Sequence, residues 1–182
     1  MDAIEVLLHD HREIRHYIEQ FRSADDDDAK LEAFEKLVDE LEHHTAMEEE
    51  IFYPRVMEKI ESTEDEVREG IEEHHVAKVV IAEAQAIGPD DEQWEAKVTV
   101  LCESVEHHVE EEESELFPKV RGGLDLGELG MMAADLQAFK DRFELNQKTV
   151  DELRSEASEA DVEGRSSMTK QQLVDALVKA NR

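Results

Sequence analysis

Two stretches of this chain carry histidine, glutamate and proline at the same spacing: His44, Glu48 and Pro54 in the first, His108, Glu112 and Pro118 in the second. Each set interrupts an apolar helical stripe. In the first stretch Phe34, Leu37, Leu41, His44, Glu48 and Ile51 recur at helical spacing; in the second, Trp94, Val98, Leu101, Val105, His108, Glu112 and Leu116 do so. Positions i and i+4 lie on one helix face a turn apart, so each pair presents an imidazole and a carboxylate to the same inward point. Burying an ionised carboxylate without a partner costs several kcal/mol or more. A chain that puts two glutamates on core faces must fold so that they meet cations.

Two further helices complete the pattern. The first reads from Asp2, a capping residue with Glu5 three positions on, to Phe21, along Ile4, Leu7, Leu8, His11, Ile14, Ile18 and Phe21. His11 points into the core, whereas His9 and His16, about 200° and about 140° around the helix from it, face water. The Asp25 to Asp28 run reads as a solvated loop, and the helix carrying His44 reads from Ala29 to Lys59. Ser62 and Thr63, followed by Asp65 and Glu66, offer capping boxes for a third helix with the stripe Val67, Ile71, His74, Ala77, Ile81 and Ala84, which stops at Gly88-Pro89. Asp90 with Gln93 is the expected cap of the fourth helix, which ends between Pro118 and Gly123. His74 follows His11 by 63 residues and His108 follows His44 by 64, so residues 1–123 read as two helical hairpins of one design. The expected fold is all-α: an up-and-down antiparallel four-helix bundle with a pseudo-twofold axis.

Beyond it, residues 124–146 read as an additional amphipathic helix, through Leu126, Leu129, Met132, Leu136, Phe139 and Phe143, packing on the side or end of the bundle. Residues 147–182 read as a small helical module, with capping boxes at Thr149/Glu152 and Thr169/Gln172 on either side of a Gly164-Arg165-Ser166-Ser167 turn. The 49 acidic residues against 20 basic ones leave a formal charge of −29, which repels nucleic acid and anionic lipid and attracts cations. The lone Cys102 provides no internal disulfide, the N-terminus shows no export signal, and nowhere do 18 apolar residues run together. A cytoplasmic protein that does not cross a membrane is expected.

Four histidines, one per helix, and two glutamates make six donors: His11, His44, Glu48, His74, His108 and Glu112. Neutral imidazole suits iron, zinc, nickel or copper, and a carboxylate adds hard oxygen able to bridge two ions, so the set suits a pair of transition metals. Iron is the expected metal, with manganese and zinc behind it, because carboxylate-bridged di-iron sites are built in bundle cores. A lone core histidine is more often hydrogen-bonded packing than a ligand; the repeated glutamates are what favour metal. His43, His75 and His107 read as surface residues or as residues behind the ligands, with His107 first in line for promotion. Glu49 and Glu113 are reserve ligands. Phe52, Tyr53, Trp94 and Phe117 read as core or rim packing.

Asp10-His11, His44-Thr-Ala-Met-Glu48 leading to Phe-Tyr-Pro54, Glu73-His74, and His108-Val-Glu-Glu-Glu112 leading to Leu-Phe-Pro118 together resemble the hemerythrin HHE cation-binding family over residues 1–123. The resemblance implies a non-haem di-iron centre used for oxygen binding, for iron or oxygen sensing, or for handling peroxide and nitric oxide. The oxygen-carrying hemerythrins place a second histidine four residues after the one matching His74, where this chain has Lys78, and their last carboxylate lies five residues after its histidine rather than four. One iron is then short of a ligand, with His75, His107, Glu113 or water to fill the gap. The tail, through Asp151-Glu-Leu153, Val162 to Met168 and Lys170 to Leu177, resembles Rho N-terminal and SAP-like helical modules, some of which bind nucleic acid. With seven acids and five bases over residues 149–182, its charge does not favour that use, and a docking or tethering role is the alternative. The function implied is a di-iron protein that binds iron and reacts with or senses dioxygen or peroxide. The alternative is an iron-responsive or structural adaptor whose tail recruits a protein or nucleic acid.

Overall fold

A computed structural model describes residues 1–180, and the described residues are helical with no strand. The chain is an all-α bundle. Helix α1 (Ala3–Ser23) begins with the expected capping box, Asp2 accepting from Glu5 N–H while Glu5 accepts from Asp2 N–H. Helix α2 spans Asp27–Met47 and is capped by Asp26, so the acidic run is part cap and part first turn rather than all loop. A π-helical turn at Glu48–Phe52 joins α2 to α3 (Tyr53–Lys59). Helices α4 (Glu64–Ile87) and α5 (Trp94–Glu111) form the second hairpin, and a matching π turn at Glu112–Leu116 leads into α6 (Phe117–Gly123).

Two of the expected caps are not made. Ahead of α4 lies a 3₁₀ turn (Glu61–Thr63), and the buried Thr63 hydroxyl donates to the Ile60 carbonyl instead of capping the helix. Ahead of α5, Asp91 rather than Asp90 takes the Gln93 N–H. Both are local competitions between a short polar side chain and the nearest backbone group.

The π turns follow from the prolines. Pro54 and Pro118 lack an N–H, and each ring would clash with the carbonyl four residues back. The chain widens by one residue there, and Tyr53 N–H bonds the Glu48 carbonyl while Phe117 N–H bonds that of Glu112, five residues back. The consequence is seen in the core. His44, Glu48, Phe52 and Val56 follow in steps of four and are all buried, as are His108, Glu112, Leu116 and Val120. In an unbroken α-helix each step of four overshoots the turn by about 40°, so three would carry the last residue about 120° off the face. The π turn takes out that drift and keeps His, Glu and the following apolar residue on one inward line.

The chain divides into two compact units, residues 1–133 and residues 134 onward, with α7 (Leu126–Gln147) shared between them. Leu126, expected on the apolar stripe of that helix, is 84% exposed; Leu129, Met132 and Ala133 carry the buried face of its first part. The bundle core away from the histidines is Ile14, Ile18 and Phe21 against Phe34, Leu37, Trp94 and Val98, with Cys102 among them. Burial pushes the Cys102 thiol up to about 12, which leaves it unreactive. In the second unit α8 (Val150–Glu159) and α9 (Lys170–Ala180) pack Leu153, Ala157, Leu173, Val174, Leu177 and Val178 around Leu145. Both expected capping boxes there are formed, and Gly164 takes the left-handed conformation (φ 74°) that the turn between the helices needs. The last two residues of the expected 147–182 module lie outside the described residues. No helix among those described is long and apolar enough to cross a membrane.

Candidate metal centre

The π turns, together with α1 and α4, bring six side chains to one point in the first unit. Ligand atoms of His11, His44, Glu48 and Glu112 all lie within 4.8 Å of one another, and so do those of Glu48, His74 and His108; Glu48 belongs to both groups. All six residues are buried. His11 Nε2 stands 3.2 Å from Glu112 Oε2, and His74 Nε2 stands 3.4 Å from Glu48 Oε2. His44 Nε2 lies 3.3 Å from Glu48 Oε2 and His108 Nε2 lies 3.8 Å from Glu112 Oε2. Each glutamate therefore meets the histidine one turn before it and a histidine from the other hairpin.

Behind each inward Nε2, the Nδ1 faces a carboxylate. His11 Nδ1 meets Glu113 (2.9 Å), His74 Nδ1 meets Glu49 (3.0 Å), His108 Nδ1 meets Glu73 (2.7 Å) and His44 Nδ1 lies 3.8 Å from Asp10. A carboxylate on Nδ1 fixes the ring and directs the lone pair of Nε2 inward. Glu49 and Glu113 thus stand behind histidines instead of facing the centre as reserve ligands, and each is braced by a cation: Arg15 grips Glu113 through two bonds and Lys78 grips Glu49. Lys78, at the position where the oxygen carriers have histidine, faces outward. His75 and His107 are exposed, and His43, expected at the surface or behind the ligands, is buried beside Asp10 and Glu40. The outer roles of Asp10 and Glu73 were missed by stripe reasoning. Their signal was position: each immediately precedes a core histidine.

Among the aromatic rings beside the histidines the arrangement is close to twofold, with one difference. Tyr53 stacks on His74 and its counterpart Phe117 stacks on His11, but only Tyr53 has a hydroxyl, which donates to Glu112 Oε1 at 2.9 Å. The two oxygens of Glu48 make no hydrogen bond. Burial, then the charge of Glu112, pushes the Glu48 carboxyl well above the usual range. Burial acts on Glu112 in the same sense, but the approach of His11 and the charges of His108 and His44 outweigh it and hold Glu112 below that range. Burial, followed by the charge of His108, lowers His74 to about 4, and burial also lowers His44, which favours the neutral ring at both; His74 Nε2 shares a 3.0 Å hydrogen bond with His108 Nε2. Burial, reinforced by Glu112, raises the Tyr53 phenol, which stays a donor.

Two small cavities reach four of the six residues, His44, His74, His108 and Glu112. One, about 50 Å³, lies beside His108 and Glu112 and is flanked by glutamates; the other, about 20 Å³, is lined by Ile14, Leu41, Ala77, Val105 and Val109 on the side of His44, His74 and His108. The second has room for a molecule about the size of water or a diatomic gas.

His11 Nε2, His44 Nε2, both oxygens of Glu48 and Glu112 Oε2 are buried without a hydrogen bond, and they converge. Such clustering of unsatisfied donors and acceptors is far outside what packing alone tolerates. A cation held among them satisfies all of them at once.

Residues 2–120 match the hemerythrin HHE cation-binding domain. The chain belongs to this family. Residues 144–181 match the N-terminal domain of the Rho termination factor. A Nostoc protein named as a DNA nickase is 26% identical over 144 residues, which cover 79% of this chain and 40% of that protein, so the HHE chain spans well under half of that relative. An uncharacterized hemerythrin-like protein of Schizosaccharomyces pombe is 24% identical over 137 residues, 75% of this chain and 68% of its own length. The crystal structure of an HHE cation-binding domain-containing protein from Mycobacterium kansasii superposes with a TM-score of 0.69, covering 99% of both chains at 18% identity, a likeness of fold.

Proposed function

We propose that this HHE protein holds two non-haem iron ions on His11, His44, His74 and His108, bridged by Glu48 and Glu112, and that it senses or reacts with dioxygen, peroxide or nitric oxide. The observation that carries the reading is the convergence of six buried donors, six of their atoms without a hydrogen bond, around a glutamate common to two histidine groups. Four imidazoles with two carboxylates favour iron, with manganese and zinc as the other candidates. Bound ferrous iron supplies an electron-rich centre able to bind and reduce such ligands. The chain's own groups do the rest. Burial favours the neutral form of His44 and His74, the carboxylates bonded to Nδ1 hold the His11, His74 and His108 rings in register, and Tyr53 keeps a proton 2.9 Å from Glu112 Oε1. The mainly apolar cavity suits a diatomic ligand beside three of the histidines.

Lys78 at the position of a carrier's histidine favours reaction or sensing over stable oxygen carriage. Anaerobic titration of the chelated protein with ferrous iron, followed by metal analysis and ultraviolet absorption after exposure to air, tests the proposal. Two ions per chain and a new near-ultraviolet band are expected. Less than one ion per chain would overturn it, and uptake far beyond two would point to an iron store.

A second reading is supported by the match of residues 144–181 to the Rho N-terminal domain: an adaptor whose second unit recruits a nucleic acid or protein. The charge of −29 opposes nucleic acid and leaves a protein the better partner. Retarded migration of labelled single-stranded RNA or nicked duplex DNA by the full chain at physiological salt would favour the nucleic acid instead.

A further inference from the structure

The two halves of the bundle differ most at one side of the centre. The 50 Å³ cavity is lined by Glu112 and His108 of the centre, by Tyr53, Gly70 and Glu73, and by Glu66, Glu69, Glu111 and Glu115, of which Glu69 and Glu115 are exposed to solvent. Glu73 and Glu111 are half-buried, and at the inner end Glu112, 4% exposed, offers an Oε2 that makes no hydrogen bond. The repeat gives the equivalent positions in the other half. Counting back 63 residues in α4 and 64 in α5, Glu66, Glu69, Gly70, Glu111 and Glu115 correspond to Ala3, Val6, Leu7, Met47 and Ile51. The first four of these are at most 4% exposed. The same place in the fold is an apolar plug in one half and a shaft of carboxylates in the other, and Gly70 supplies the space where Leu7 closes it.

Beside this shaft stands a third group of donors. Ligand atoms of Glu73, His107 and Glu111 lie within 4.8 Å of one another, and His107, 65% exposed in its side chain, sits 3.4 Å from Glu111. Glu73 links this group to the centre, because its Oε2 meets His108 Nδ1 at 2.7 Å. We infer that the carboxylate shaft is the route by which cations reach the centre, with Glu73, His107 and Glu111 as an outer loading site for a divalent transition metal ion. The inference rests on the metal-binding reading above. One imidazole and two carboxylates suit such an ion, and three donors open to water hold it more weakly than six buried ones, so it passes inward. Converging like charges raise the local cation concentration and the association rate by about 10- to 1,000-fold, an effect that salt suppresses.

The test uses full-length, metal-free protein mixed with cobalt(II), whose visible bands report coordination, in a stopped-flow instrument. The double variant His107→Ala/Glu111→Gln is expected to bind the same two ions with the same final spectrum but about tenfold more slowly. Glu69→Gln/Glu115→Gln, at the exposed rim, is expected to lose much of the salt dependence of the rate while keeping the same end point. If both double variants take up two ions at the wild-type rate, the inference is overturned and the metal-binding reading stands. If the wild-type chain takes up no cobalt, both fall.

Discussion

A single hydroxyl separates the two bridging candidates. Glu112 accepts from Tyr53 and Glu48 has Phe117 in the equivalent place; burial opposes the ionisation of both, and at Glu112 the approach of His11 and the charges of His108 and His44 outweigh it, which leaves Glu48 as the carboxylate held above the usual range. Its raised pKa fixes a sign: without metal, Glu48 leaves the fold's stability intact below its unfolded value of 4.5 and diminishes it as pH rises through the folded value. Glu48→Gln removes that loss. The metal-free variant is expected to be more stable than wild type at pH 7, with the difference vanishing below 4.5; melting curves across pH check this. The same variant is expected to lose both metals, because a bridge serves both ions. Full iron content in the Glu48→Gln protein would show that Glu48 is no bridge. Glu49→Ala removes the carboxylate on His74 Nδ1 and is expected to weaken metal affinity about 10- to 100-fold, measured by competition with a chelator.

At the scale of elements, α4 passes the centre at Gly70. A Cβ there would stand 2.9 Å from the Tyr53 hydroxyl and 3.3 Å from His108 Cε1. Gly70→Ala is therefore expected to displace Tyr53 from Glu112 and to cost about 1–3 kcal/mol of stability by overpacking. Thermal melting with and without metal measures it. The π turns set the inward line of His, Glu and apolar residue on both long helices, and their cause was legible: a proline six residues after each core glutamate. The turn itself was not read from the sequence, because a proline predicts disruption without saying whether the helix ends, kinks or widens. The caps of α4 and α5 were misplaced for a related reason, since neighbouring Ser, Thr and Asp compete for the same backbone groups.

For the whole molecule, the candidate centre lies in residues 1–133, while residues 134 onward have a separate core around Leu153, Leu173 and Leu177. Ligand bound only to the native first unit stabilises that unit, by about 2.7 kcal/mol at a free concentration 100 times Kd. Chelation is expected to speed amide exchange through α1, α2, α4 and α5 and to leave α8 and α9 unchanged, as read by mass spectrometry. A uniform change over the chain would show that the two units unfold together.

The sequence by itself determined the helices, the all-α class, the two-hairpin repeat and the six polar residues on core stripes, because helical periodicity is local and a buried glutamate stands out against it. Only the tertiary structure decided what surrounds those six. That Glu49, Glu73 and Glu113 sit on Nδ1 atoms, that His107 stays outside, and that one half carries a shaft where the other carries a plug all depend on contacts between helices 25 to 102 residues apart in the chain. Spacing along one helix assigns a residue to a face; which partner meets it there is fixed by how the helices pack.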